Sequence, residues 1–226
     1  MLVAAAVVPT PPLLVPEVAA GSAERDADLR TAALDAVARV LAAGPARVVV
    51  VGAAPETGPL SGEPDWHRFG VRVPRPDRPL PLAHGIGAWL LGQLSCSLPV
   101  EHLGVAAAAG TEECAALGRE LATGPRTALV VCGDGTARRD EKAPGHFSPA
   151  AAGFDERVDA ALRAGDAAGL LGLDAAEAEE LWAAGRPAWQ VLAGAAEGGR
   201  WNAEVSYAAE PYGVHYVVAT WLAHEG

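Results

Sequence analysis

The sequence predicts an α/β fold: a mainly parallel central sheet flanked by helices on both faces, with a C-terminal antiparallel hairpin. Three observations carry this. Twice the chain writes a helix, a Gly-Pro stop and a buried strand: Ser22 to Ala43, Gly44-Pro45, Val48 to Val51, and again Thr111 to Thr123, Gly124-Pro125, Thr127 to Val131. The strands delimited this way are continuous apolar runs, which suit strands covered on both faces. Near the end the pattern changes. Trp201, Ala203, Val205 and Tyr207 alternate, Pro211-Tyr212-Gly213 turns, and Val214 to Leu222 runs apolar, which reads as a hairpin at a sheet edge.

Taken in order, Leu2 to Val8 is an apolar run of strand length, stopped by Pro9, Pro11 and Pro12, which lack amide donors and fix a rigid turn. In the first long helix, Leu29, Leu34, Val37, Val40 and Leu41 form the apolar stripe. Ala53 to Pro81 is rich in glycine, proline and charge, with Trp66-His67-Arg68 in its midst, and a loop of this length is expected to be either functional or partly disordered. A helix over Ala83 to Leu94 and a strand near His102 to Ala106 follow. Beyond the central strand come a helix from Phe154 to Ala164 closed by Gly165, a helix opening at a capping box of Asp174 and Glu177, and a helical stretch over Ala188 to Ala195. No linker divides the chain, so residues 1–226 are expected to form a single domain.

Composition narrows the function. Half of the 226 residues are apolar and a fifth charged, as in a globular protein. The net charge of −11 argues against nucleic acid or an anionic membrane as partner. No apolar run reaches membrane-spanning length, and Met1 to Val8 lacks the basic flank of a signal peptide. The three cysteines, Cys96, Cys114 and Cys132, give neither a disulfide framework nor a zinc spacing. Buried thiols in a reducing cytoplasm are expected.

The chemistry concentrates between Val130 and Pro149. Gly133-Asp134-Gly135 ends the strand, and an acid, two arginines, a lysine and His146 follow before Ser148 and Pro149 open a helix. Polar loops beyond the carboxyl ends of strands are where open α/β sheets bind ligands. Gly133-Asp134-Gly135-Thr136 also resembles the Gly-Gly-Asp-Gly-Thr loop of NAD and lipid kinases, with Cys132 in place of the first glycine. None of His67, His84, His102, His146, His215 and His224 makes a metal-ligand pair at short spacing. His215 reads as a hydrogen-bonded core residue, His84 as a cap or solvated group, and His146 as the best placed to touch a ligand. Of Glu179 and Glu180, one could point inward beside Leu181 and Trp182.

Together these pieces resemble a known family. Pro9-Thr10-Pro11-Pro12-Leu13-Leu14-Val15-Pro16-Glu17 is similar to the opening of class III extradiol ring-cleavage dioxygenases of the LigB type, where the pattern is Pro-His-Pro-Pro-Leu-Leu-Val-Pro-Glu. The central stretch, with Ala143-Pro144-Gly145 and Phe154-Asp155, resembles that family's Gly-Asp-x-Ser-His-Arg loop and the helix after it. Val205-Ser206-Tyr207 through Pro211-Tyr212-Gly213-Val214 to Val217-Val218-Ala219 resembles its last two strands. The likeness spans almost the whole chain.

The resemblance implies a LigB-like fold, and in that family non-haem Fe(II) is held by two histidines and a glutamate while another histidine acts as acid and base. Here the first ligand position falls on Thr10, the second within Gly52 to Glu56, the acid/base position on Ala137 and the glutamate on Glu180. Threonine and alanine cannot stand in for imidazole in an open iron site. No cofactor and no metal ligand are therefore expected. The reading is a LigB-like protein that has lost Fe(II) ring cleavage and serves as a small-molecule or protein binding module, as the family's relative Memo is described. The alternatives are an active ring-opening dioxygenase using His67 and His146, a metal-independent enzyme, or a nucleotide-binding protein. The pocket candidates are Thr10, Asp134, Arg138, His146 and Glu180, around a small anionic or aromatic ligand for which Arg138 and Arg139 supply charge. A homo-oligomer is compatible with this reading.

Overall fold

The computed structural model describes residues 1–20, 24 and 26–224. Among these, seven strands form one sheet: β1 (Leu2–Val8), β2 (Arg47–Ala54), β3 (Gly58–Leu60), β4 (Val100–Ala106), β5 (Thr127–Cys132), β6 (Trp201–Ala209) and β7 (Tyr216–Ala223). The spatial order is β3-β4-β2-β5-β1-β7-β6. The four central strands are parallel, as the helix, Gly-Pro, strand grammar requires.

The sheet is nevertheless mixed rather than mainly parallel. β3 runs antiparallel to β4, β7 antiparallel to β1, and β6 antiparallel to β7. Two features of the chain hide this. Gly58-Pro59-Leu60 has no apolar run to betray a strand inside the long loop. The hairpin does not merely sit at the edge, because β7 is buried between β1 and β6 and only β6 is outermost. The continuous apolar run of β7 fits that covered position.

Helices cover both faces. Residues at alternate positions of β1 divide: Ala5 and Val7 join the core beneath α5 (Pro149–Ala164) and α8 (Arg186–Ala196), while Ala4, Ala6 and Val8 join the core beneath α2 (Ala27–Ala42) and α3 (Leu82–Gln93). This is the period-two consequence of the pleat. Phe154, Val158, Leu162, Trp189 and Leu192 fill the first core, and Leu29, Val37, Val40, Ile86 and Leu90 the second. Each such side chain contributes about 1.5–3 kcal/mol on burial. The expected start of the first long helix at Ser22 lies outside the described residues.

α8 is buried along its whole length. It meets α4 (Thr111–Leu121) through Gly118 and Gly194, where an added Cβ would fall 2.0 Å from the Val191 carbonyl oxygen and 2.2 Å from that of Ala115. Only glycine lets the two backbones touch there. Short helices α1 (Pro16–Ala19), α6 (Ala167–Leu171) and α7 (Ala175–Glu180) complete the chain. The Asp174 carboxylate accepts from Glu177 N at 2.8 Å, as the capping box predicts. Ser148 occupies the N-cap of α5 without a side-chain cap bond, so Pro149 at the first helical position fixes that start.

Candidate functional site

The parallel strands deliver their carboxyl ends to one side of the molecule, and a cavity of about 550 Å³ opens there. Its floor is made by the residues that follow β1 and β5. Pro9 and Pro11 flank Thr10, which is buried just beyond the end of β1. Thr10 N donates to Asp134 Oδ1 at 2.6 Å and Thr10 Oγ1 donates to Oδ2 at 2.9 Å, so one carboxylate clamps two strand ends. Burial pushes the Asp134 carboxyl up to about 6, against the two Thr10 donors that favour its charged form.

The glycines around Asp134 serve packing. A Cβ on Gly133 would meet Gly185 Cα at 2.4 Å, and one on Gly135 would meet His215 and Asp155 at 2.8 Å. Protein atoms therefore fill the space that a phosphate would need against these glycines. Gly185 N donates to the Asp134 carbonyl, which ties the start of α8 to the loop after β5.

The cavity walls come from the last third of the chain. Trp182 stands 55% exposed at its mouth with φ 57, and Glu179, Ala183 and Pro187 line it. Tyr216 enters from β7, and burial, then the charge of Asp134, raises its phenol, which stays neutral near pH 7. Arg186, only 2% exposed, also lines the cavity. Its Nη1 donates to Ala109 O at 2.8 Å and to Gln190 Oε1 at 2.9 Å, and Nη2 donates to Ala107 O at 2.6 Å.

Of the five residues expected from sequence, Thr10 and Asp134 line this cavity, and Arg138, His146 and Glu180 are not among its lining residues. Arg138 gathers the other two by their backbones: Nη1 donates to Glu180 O at 3.0 Å and Nε to His146 O at 3.4 Å. The guanidinium is a strap between loops, and the His146 and Glu180 side chains face outward. Glu179, one residue earlier and likewise exposed, is the one that lines the cavity. Ala137, where the resemblance puts an acid/base imidazole, lines the cavity as well. Arg139 pairs with buried Asp155 at 3.1 Å and with Glu210 at 3.2 Å, away from the lining.

The histidines settle elsewhere. His215 is a core residue bonded to Asp159 at 2.9 Å; burial lowers its pKa, but the Asp159 bond and the Asp155 charge outweigh that and raise it. His84 is fully buried rather than a solvated cap, since α3 packs on β2 and β5 and its first turn sets His84 against Gly52 and His102. Burial, then the neighbouring His102, lowers its pKa to about 4. His84 Nε2 lies 3.2 Å from Gly52 O, an obligate acceptor, so Nε2 carries the proton and Nδ1 is bare. His102 Nδ1, 3.3 Å away, must then donate to it, which leaves His102 Nε2 as an acceptor. His67 and His146 are exposed. Among the described residues no three His, Cys, Asp or Glu side chains are grouped as metal ligands.

No protein-family model matches the chain, and no curated protein matches it. Among solved structures it is similar to uncharacterized protein JW3007 from Escherichia coli K12, at 14% identity and a TM-score of 0.55, over 97% of this chain and 99% of that one. At this identity the likeness is one of fold. No helix among the described residues is long and apolar enough to cross a membrane.

Proposed function

We propose that this chain is a LigB-like protein that binds a small, largely apolar molecule in the cavity at the carboxyl ends of its parallel strands, and that it does not cleave rings with Fe(II). The observation that carries the reading is the cavity itself: rigid apolar walls converge on a single raised-pKa carboxyl, Asp134, held by Thr10. The residues there do not fit the family's iron. Thr10 and Ala137 stand where imidazoles are expected, and the Thr10 hydroxyl is already donating to Asp134. The remaining oxygen donors, Asp134 and Glu179, are not the imidazole-rich set that holds a reactive Fe(II).

A thermal-shift and fluorescence screen of small aromatic and alicyclic compounds tests the reading, with Trp182→Phe to identify the signal from the cavity mouth. Binding should raise the melting temperature and perturb the emission that Trp182→Phe removes. A screen in which no compound does either rejects the cavity as a binding site and favours a protein-partner role through the surface. One stoichiometric iron by elemental analysis, with ring opening of a catechol after anaerobic Fe(II) loading, would overturn the claim that the iron chemistry is gone.

A second reading, a metal-independent proton-transfer enzyme, draws on the Asp134 carboxyl near 6, which suits a general acid or base at neutral pH. Chemical change in a bound compound, lost in Asp134→Asn while binding persists, would favour it over binding alone.

A further inference from the structure

Arg186 is the one charged group of the cavity wall that is wholly buried, and no carboxylate among the described residues pairs with it. Its recorded acceptors are all neutral: two backbone carbonyls and a side-chain amide. A guanidinium carries five N–H groups, and three are engaged. Nη1 uses both of its hydrogens. One hydrogen on Nη2 and the one on Nε remain as donors for a carboxylate. Burying a cation without a counter-ion costs several kcal/mol, which neutral acceptors repay only in part.

We propose that Arg186 anchors the carboxylate of a small apolar monocarboxylic acid occupying this cavity. The proposal rests on the cavity being a binding site and adds the chemical class of its occupant. The carboxylate takes the two unengaged N–H groups, and the apolar body lies against Pro11, Pro12, Pro187 and the Trp182 ring. Anion recognition thereby falls to Arg186 and not to the loop arginines, neither of which lines the cavity: Arg138 holds Glu180 O and His146 O, and Arg139 pairs with Asp155 and Glu210. The competing role for Arg186 is a purely structural strap that binds Ala107 and Ala109 to α8.

The experiment compares cyclohexanecarboxylate with cyclohexanecarboxamide, nearly equal in shape but different in charge, by calorimetry on the full chain near pH 6. The acid should bind at least about tenfold more tightly than the amide, a difference of about 1.4 kcal/mol. Arg186→Met should erase that preference. Equal affinities would overturn the anchor while leaving the cavity reading intact. A preference that survives in Arg186→Met would also overturn it, because the acid would then sit elsewhere. If Arg186→Met fails to fold, the wild-type ratio decides alone, supplemented by Arg186→Lys, which keeps the charge but loses the fork and should weaken the acid more than the amide. Failure of both probes overturns the anchor; only a blank across the wider neutral and aromatic screen brings down the cavity reading with it.

Discussion

Asp134 and His84 are both titratable groups whose burial disfavours the charged form, and they act on stability with opposite signs. The Asp134 carboxyl is raised from 3.8 to about 6, so the folded state binds its proton more tightly than the unfolded chain. Its contribution is complete below about pH 4 and is lost as the pH rises through 6. Near pH 7 the ionised group costs up to about 3 kcal/mol at 1.36 kcal/mol per pKa unit, with the two Thr10 bonds already included in that shift. Asp134→Asn, which can still accept from Thr10 N, should therefore stabilise the protein by about 1 kcal/mol near pH 7 and destabilise it near pH 4. Urea unfolding at the two pH values checks the crossover. His84 is lowered from 6.5 to about 4, so its contribution is complete above about pH 6.5 and is lost as the pH falls toward 4. The loss amounts to about 3 kcal/mol. His84→Gln should flatten this acid limb in the same urea series, and a limb of unchanged slope would place the proton uptake elsewhere.

At the scale of elements, the alanine- and glycine-rich composition permits backbone contact that larger residues would block. α4 and α8 cross so closely that Gly118 and Gly194 each face carbonyl oxygen of the other helix. Alanine is the better helix former by about 1 kcal/mol, but neither helix can retreat from a 2.0–2.2 Å clash without opening the first core. Gly118→Ala and Gly194→Ala should each destabilise by about 2–4 kcal/mol. Gly92, inside α3 with nothing within 4 Å of its absent Cβ, supplies the control. Gly92→Ala should stabilise by about 0.5–1 kcal/mol, and denaturant midpoints for the three variants should fall in that order. The outermost strand, β6, shows another element-level device: its pairing slips between Val205 and Tyr207, and Glu204 and Glu210 add charge. A bulged, charged edge resists pairing with a second sheet.

For the molecule as a whole, the cavity is where distant parts of the chain depend on one another. Thr10 follows β1, Asp134 follows β5, Tyr216 lies in β7, and Trp182 and Arg186 flank the start of α8. A ligand that touches all of them stabilises the folded state by mass action, by about 2.7 kcal/mol at a hundredfold excess over Kd. Hydrogen exchange should slow at the Thr10 amide and in the segments 107–109, 134–138 and 182–187 when a cavity ligand is added, while residues 61–79 should be unchanged. Protection confined to a single segment would mean surface adsorption.

The sequence by itself determined the elements whose signals are local. β1 is a seven-residue apolar run closed by proline and appears over those residues; β5 extends one residue past its expected end; Asp174 caps α7. The loop after β5 and the turn after β1 stood out as a candidate site, because chain-breaking and ionisable residues cluster there, and of the five candidates Thr10 and Asp134 do meet. What tertiary structure decided was every relation between segments far apart in the chain. The mixed sheet depends on β7 pairing with β1, which no local pattern specifies. The choice of Glu179 over Glu180 turned on the facing of a six-residue helix too short to show a stripe. His84 reads as a helix-start residue until α3 docks on β2 and buries it. Arg186 draws no reading of its own from the sequence, because the carbonyls of Ala107 and Ala109 that enclose it come from the turn after β4, far away in the chain. Strand periodicity is written in neighbouring residues, whereas a buried charge is defined by whatever the fold brings to its side.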